Sequence, residues 1–386
     1  AMYMTEDDEG LIWAALYPGA EVVSFDPRTR ALHDWGPVSE HPSAQYPRAL
    51  ATDDQGWVYV GIGLAVGQIF MLNPKTGGVT TVIPEEQRVG SGGVLLRRGT
   101  DGKVYGFAPV GANPTQWFRL YGGKAVKLDG DPHVEWKGIV AGSQKLRHCD
   151  LPNGEHVDEL DLVSRRLVIS DPQKGTSRTF GLDLGEGEGG AALGVATAPD
   201  GTIAGGTYIP LCFFNYNPRT DQWTRRESYG QWNAVTATAE RFYAACYTEG
   251  VLLEWDPSRE WVDTQPDNPS SNPRYLAQTR ATPDVGRPYT IIAHPDGRHI
   301  IYGGTPDYGC TGGALVIYDT LDGTAQIIKH EDIVPWQTQA SLTALADGRV
   351  VGGTAIRPGS GGTPKAQVAE LYILDMQSRR VEWHAP

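Results

Sequence analysis

No stretch of this sequence is apolar for the ~18–20 residues that a membrane-crossing helix requires, and no basic-then-apolar leader opens it. Ala1 ahead of Met2 reads as a cloning remnant or the start of an excised domain, which leaves a longer parent protein open. Positive charge is short as well. Thirty-three Lys and Arg face 46 Asp and Glu, a formal charge of −13. That argues against broad nucleic-acid binding, which needs clustered cations on phosphates. A local basic pocket for an anionic ligand stays compatible with an acidic chain. Cysteine is scarce: Cys149, Cys212, Cys246 and Cys310 show no C-x-x-C pair and no zinc spacing. They read as buried free thiols and leave the compartment open.

Familiar catalytic patterns are missing too. There is no Gly-X-Ser-X-Gly elbow, no His-Glu-X-X-His, no Walker loop and no dinucleotide fingerprint. His148, Cys149 and Asp150 are neighbours in sequence, but adjacent residues on a strand point to opposite faces. His294 and His299 flank a turn without an evident nucleophile and read as solvated or capping side chains. No metal ligands are therefore expected, and the cofactor is unknown; a structural calcium in a channel of carbonyls and carboxylates stays open.

What is present is a repeat. Polar turns built on Asp8/Gly10, Asp54/Gly56, Asp101/Gly102, Asn153/Gly154, Asp200/Gly201, Asp296/Gly297 and Asp347/Gly348 each precede an apolar run. Thr238 to Glu240 stands in the same place without glycine. Asp/Asn-Gly between apolar runs is a strong hairpin signal. A second turn follows at Asp26, Asn73, Asp171, Asn217, Asp256, Asp319 and Asp375, the first five followed by proline. The unit is strand A, inner turn, strand B, loop, strand C, outer turn, strand D. A spacing of roughly 40–55 residues is that of a four-stranded propeller blade. The expectation is all-β: a single closed β-propeller over residues 1–386, with eight blades favoured. Because the unit near 152–172 is the least regular, seven blades plus an insertion is the alternative. The termini are expected to meet where the ring closes.

Propeller topology places the D–A links and the B–C loops on one face, around a central funnel. Candidates in the links are His41, Tyr46, Arg48, Trp232, Asn233, Arg274, Tyr275, Arg287, Gln337 and Gln339. Candidates in the B–C loops are Tyr17, Tyr208, Tyr247, Asp307, Tyr308 and Arg357. Aromatic faces stack on sugar rings, and arginine forks take carboxylates at two points. Residues 263–286 read as a long connection of the kind that often carries function.

The turns, the run from Trp57 to Gly63, and Asp307, Tyr308 and Gly309 with Gly312 to Leu315 resemble bacterial propellers of the polysaccharide lyase and carbohydrate-active type. The resemblance implies action on uronate-containing glycans and a periplasmic or extracellular place. β-Elimination needs a cation or donor on the carboxylate, a base and an acid. His41, Tyr46 and Arg48 fall in one link, so Arg48 is the expected carboxylate clamp, Tyr46 the acid/base and His41 its partner. The other candidates would bind substrate. A non-catalytic module for a glycan, a small molecule or another protein domain is the alternative. A quinone-dependent dehydrogenase is a third, suggested only by the eight units and the tryptophans. Neither nucleic acid nor membrane is an expected partner.

Overall fold

A computed structural model describes residues 1–386 apart from 42–43, 65–66, 90–91, 138–140, 143–144, 147–150, 152, 162–163, 183–190, 209–210 and 248. Eight antiparallel sheets follow one another along the chain. Five of them, the second and the fifth to eighth, are four-stranded and run in plain A-B-C-D order, the pattern of propeller blades. The chain is thus an all-β propeller-type fold with eight blades, and the seven-blade alternative is set aside. The irregular unit is a sheet of three strands, His156–Asp161, Arg166–Asp171 and Thr176–Gly181. Short strands Trp136–Lys137, Ala141–Gly142 and Lys145–Leu146 add to the third and first sheets. Helix among the described residues is limited to short 3₁₀ turns. His148, Cys149 and Asp150 lie outside the described residues.

The turns form for the reason their residues suggest. Asp53 Oδ1 accepts the N–H groups of Gln55 (3.0 Å) and Trp57 (2.9 Å), and Asn73 Oδ1 accepts that of Lys75 (3.0 Å). A short polar side chain that replaces a backbone partner closes the turn locally. The capping carboxylates of the first two inner turns are Asp7 and Asp53, one residue before the aspartates singled out from the pattern. Asp8 instead pairs with Arg98.

Two compact units divide the chain: residues 1–159 with 168–179, and residues 160–167 with 180–386. In the first, the opening strands Tyr3–Glu6, Pro47–Thr52 and Leu95–Gly99 pack in succession. In the second, Ala192–Thr197, Gln231–Ala237, Arg287–Ala293 and Thr338–Ala344 do the same. Strand periodicity then makes the cores. In His299–Thr305, Ile300 and Tyr302 turn towards sheet six, where Tyr243, Leu252 and Leu276 wait. Ile301 turns the other way, with Val350, Tyr372 and Leu374 of sheet eight. A period of two thus gives every inner strand two buried faces, and the sheets are held by the layers between them. The Tyr302 hydroxyl also reaches the carbonyls of Gly250 (2.7 Å) and Thr279 (2.6 Å).

The long connection 263–286 is not structureless. Arg274–Leu276 is the fourth strand of sheet six, with Leu276 opposite Leu252. The loop ahead of it is closed by Asn272, whose backbone pairs with Val262.

Strand A carries a recurrent irregularity. In sheets two, five, six, seven and eight the register to strand B slips by one residue near its start, leaving Arg48, Leu193, Asn233, Tyr289 and Ala340 unpaired. A bulge re-aims the side chain it contains.

Candidate functional site

In the second unit, a narrow cleft forms where three connections meet. Tyr247 ends strand Phe242–Tyr247 of sheet six. Gly286 and Arg287 open sheet seven, and residues 305–308 follow its second strand. Ser360 comes from the corresponding loop of sheet eight, and these residues together line the cleft. The D–A link and B–C loops thus converge as blade topology requires.

The loop from 305 to 313 is tied on both sides. Asp307 N–H donates to Pro283 O (2.9 Å) and Gly286 N–H to Thr305 O (2.9 Å). Gly309 N–H donates to Ser360 O (3.0 Å), and Gly359 N–H returns to Cys310 O (3.0 Å). These bonds need close backbone approach. A Cβ on Gly313 would lie 1.9 Å from Gly304 O, and one on Gly304 would lie 2.0 Å from Arg287 O. The paired glycines of the repeat therefore serve the geometry of this cleft.

Inside it, the hydroxyls of Tyr247 and Tyr308 are hydrogen-bonded to each other. The Arg287 guanidinium sits 4.3 Å from the centre of the Tyr247 ring. Among the described residues, no carboxylate lies within ion-pair distance of Arg287. Elsewhere in this acidic chain the arginines are commonly matched, as Arg274 is to Glu254 (2.9 Å) and Arg280 to Glu249 (3.2 Å). Asp307 is half-buried, and its Oδ1 accepts the Tyr308 N–H (2.8 Å). Burial pushes its pKa up. A folded value above the unfolded one means the native state holds this proton more tightly, so stability falls as the pH rises past the ordinary carboxylate range. Asp307→Asn keeps the acceptor and removes the charge. Its Tm should exceed that of the wild type at neutral pH, with the gap closing towards about pH 4; a thermal scan at several pH values checks this.

A second cavity, of about 170 Å³, adjoins through Tyr247 and is lined by Tyr229, Gly230, Cys246, Glu249 and Val251. Glu249 Oε2 accepts from the hydroxyls of Tyr229 (3.0 Å) and Tyr275 (2.8 Å). Burial and then this carboxylate push the Tyr229 phenol up to about 12. The cluster is internally satisfied and braces the wall behind Tyr247.

Tyr247, Arg287, Asp307 and Tyr308 are thus brought together. Several other candidates are placed elsewhere. Arg274 and Tyr275 lie on the outer strand of sheet six, bonded to Glu254 and Glu249, rather than in a link. Trp232 is buried in the core against Phe213 (5.1 Å between centroids), because the bulge that follows it turns Asn233, not Trp232, out of the pairing. Asn233 keeps a buried Oδ1 with no partner among the described residues. Gln337 is buried and bonded to Thr354 (2.5 Å) and Glu370 (3.1 Å), and Gln339 is buried on Gly313 O (3.1 Å). Tyr208 and Arg357 are exposed.

In the first unit, Tyr46 and Arg48 do meet: the guanidinium is 5.6 Å from the Tyr46 ring centre. Tyr17 packs on the same ring, 4.9 Å between centroids. Tyr46 is only 8% exposed, and Arg48 Nε is buried with no acceptor among the described residues. His41 is exposed and lies beside residues 42–43, outside the described set.

No protein-family model and no curated protein matches the chain. Solved structures similar to it include a streptogramin B lyase, at 12% identity over 90% of this chain and 88% of that one, TM-score 0.29. The WD40 repeats of RRP9 match at 11% identity over 95% and 88%, TM-score 0.30. The β-propeller domain of Myceliophteria thermophila Cps50 (Swd1) matches at 9% over 98% and 94%, TM-score 0.29. These scores are low, and the blade pattern rests on the strand pairing of this chain itself.

Proposed function

We propose that this propeller binds a carboxylate-bearing ligand, uronate-containing glycans being the class to test first. The observation that carries the reading is Arg287: a guanidinium held over the Tyr247 ring, at the cleft, with no carboxylate of its own among the described residues. Cation–π contact fixes the plane of the fork while leaving its N–H edges for an anion. The phenols of Tyr247 and Tyr308, hydrogen-bonded to each other, stand beside it. In calorimetric titrations against a panel of uronate and neutral oligosaccharides, binding should follow the carboxylate. Arg287→Ala should weaken it about 10–100-fold, the value of a charge-assisted bond, and Arg287→Lys should recover only part. Equal affinity for neutral sugars, or no change in Arg287→Ala, would sink the reading.

A catalytic reading, β-elimination, draws on the first unit. There Arg48 has a buried donor without an acceptor and touches Tyr46, as a carboxylate clamp beside an acid/base would. His41 would complete that set. The ultraviolet absorbance of an unsaturated uronate, followed during incubation with the same panel, separates turnover from binding alone.

A further inference from the structure

The turn between the first two strands of sheet seven, Arg287–Ala293 and His299–Thr305, reads His294-Pro-Asp296-Gly-Arg-His299. It was expected to hold solvated or capping histidines. His294 does cap the turn, its Nδ1 accepting the Asp296 N–H (3.3 Å), and the turn also folds both imidazoles onto one carboxylate. Asp296 Oδ2 lies 3.0 Å from His294 Nδ1 and 2.6 Å from His299 Nδ1. All the potential ligand atoms lie within 4.8 Å of one another. We propose that His294, Asp296 and His299 bind a divalent transition-metal ion of the zinc class.

Three features support this assignment. Asp296 Oδ1 is occupied by the N–H groups of Arg298 (2.9 Å) and His299 (3.0 Å), so the turn itself aims Oδ2 at the two rings. His294 is buried, and its Nε2 lies 2.9 Å from the Gly348 carbonyl of the next sheet. A donor Nε2–H on that carbonyl leaves Nδ1 as the lone-pair nitrogen, which is how a backbone carbonyl orients a metal-binding histidine. Beyond His299 Nε2 stands Asp319 Oδ2 at 3.7 Å, placed to accept a hydrogen bond from Nε2–H once Nδ1 ligates and the proton sits on Nε2. The ring then only changes tautomer, and no net proton is lost.

Charge and size also fit. Arg298 pairs with Asp319 and Asp322, and the Arg379 guanidinium beside His299 adds a second positive charge, so the three carboxylates of Asp296, Asp319 and Asp322 keep one net negative charge for a cation. Tetrahedral bonds of about 2.0–2.1 Å put ligand atoms roughly 3.3 Å apart. The present spacings reach that by small side-chain adjustments, with Arg379, now 3.0 Å from His299 Nε2, giving way to Asp319. Two imidazoles and a carboxylate suit zinc, cobalt or nickel rather than calcium or magnesium, and three protein ligands leave a fourth position for water. The site lies at the far end of strand Arg287–Ala293 from the cleft, roughly 20 Å away at strand rise, so its fate is separable from that of ligand binding.

The test uses the full chain, stripped with a chelator and titrated with Zn²⁺ by calorimetry and with Co²⁺ by visible absorbance. One equivalent should bind, with the intense bands of a tetrahedral site for cobalt. Asp296→Asn keeps the turn-closing oxygen, and His299→Gln changes a partly accessible ring; each should weaken binding by about 100-fold, as lost metal contacts do. Should either variant fail to fold by circular dichroism, the wild type still decides: paramagnetic Co²⁺ should broaden the ring signals of His294 and His299 alone among the nine histidines. Absence of stoichiometric binding, broadening at other histidines, or affinity unchanged in both folded variants would overturn the assignment.

Discussion

Asn272→Ala should be among the most damaging single changes in the second unit, lowering stability by about 3 kcal/mol. The Asn272 side chain is almost completely buried, at 2% exposure. Its Oδ1 accepts the Asp256 N–H (2.9 Å). Its Nδ2 reaches the carbonyls of Asp256 (2.9 Å), Arg259 (3.2 Å) and Glu260 (3.0 Å). One amide therefore satisfies a backbone donor and three backbone acceptors in the loop that delivers strand Arg274–Leu276 to sheet six. Truncation leaves the Asp256 N–H and carbonyl buried without partners and strips two further carbonyls of theirs, which costs more than the mean value of a hydrogen bond. Asn272→Asp should be worse near neutrality, because a carboxylate cannot donate and would face carbonyl dipoles. It should recover partly in acid, where the protonated form again offers a donor. Urea denaturation of the three proteins at two pH values reads all of this.

A comparable loss, about 3 kcal/mol or more, is expected for Gly313→Ala. The clash is with the Gly304 carbonyl, 1.9 Å from where the new methyl would stand, and backbone cannot rotate away as a side chain can. Gly304→Ala meets the Arg287 carbonyl at 2.0 Å and should behave alike. Gly93, which has nothing within 4 Å of its would-be Cβ, is the control and should tolerate alanine with little change. The measurement is again the denaturation midpoint. An accompanying loss of ligand binding in whatever fraction stays folded would show that these contacts shape the cleft as well as the fold.

Much of this was legible beforehand. The recurrent Asp-Gly turns carry the eightfold repeat because turn chemistry is local and needs no partner. Topology alone then groups Tyr247, Arg287, Asp307 and Tyr308, since links and B–C loops must emerge at one end of a blade. What was hidden depends on register. Trp232 looked available because nothing in its sequence neighbourhood announces the bulge at Asn233. Arg274 looked like a loop residue because the loop before its short strand is closed by one buried asparagine rather than by a repeat of turn residues. The His294–Asp296–His299 cluster was passed over because the two histidines flank a turn with no evident nucleophile, and the carboxylate between them reads there as a turn residue. The His-X-Asp-X-X-His spacing was the available signal.

The unpaired residues at the start of five inner strands bear on how such a protein diversifies. Arg48, Leu193, Asn233, Tyr289 and Ala340 each stand outside the ladder of their own sheet. A residue without a cross-strand partner can be exchanged without breaking pairing, so these are five addresses where selection can rewrite chemistry while the scaffold is conserved. A library randomised at those positions alone should yield folded members far more often than one randomised at the residues immediately beside them, and descendants of this chain would be expected to differ there first.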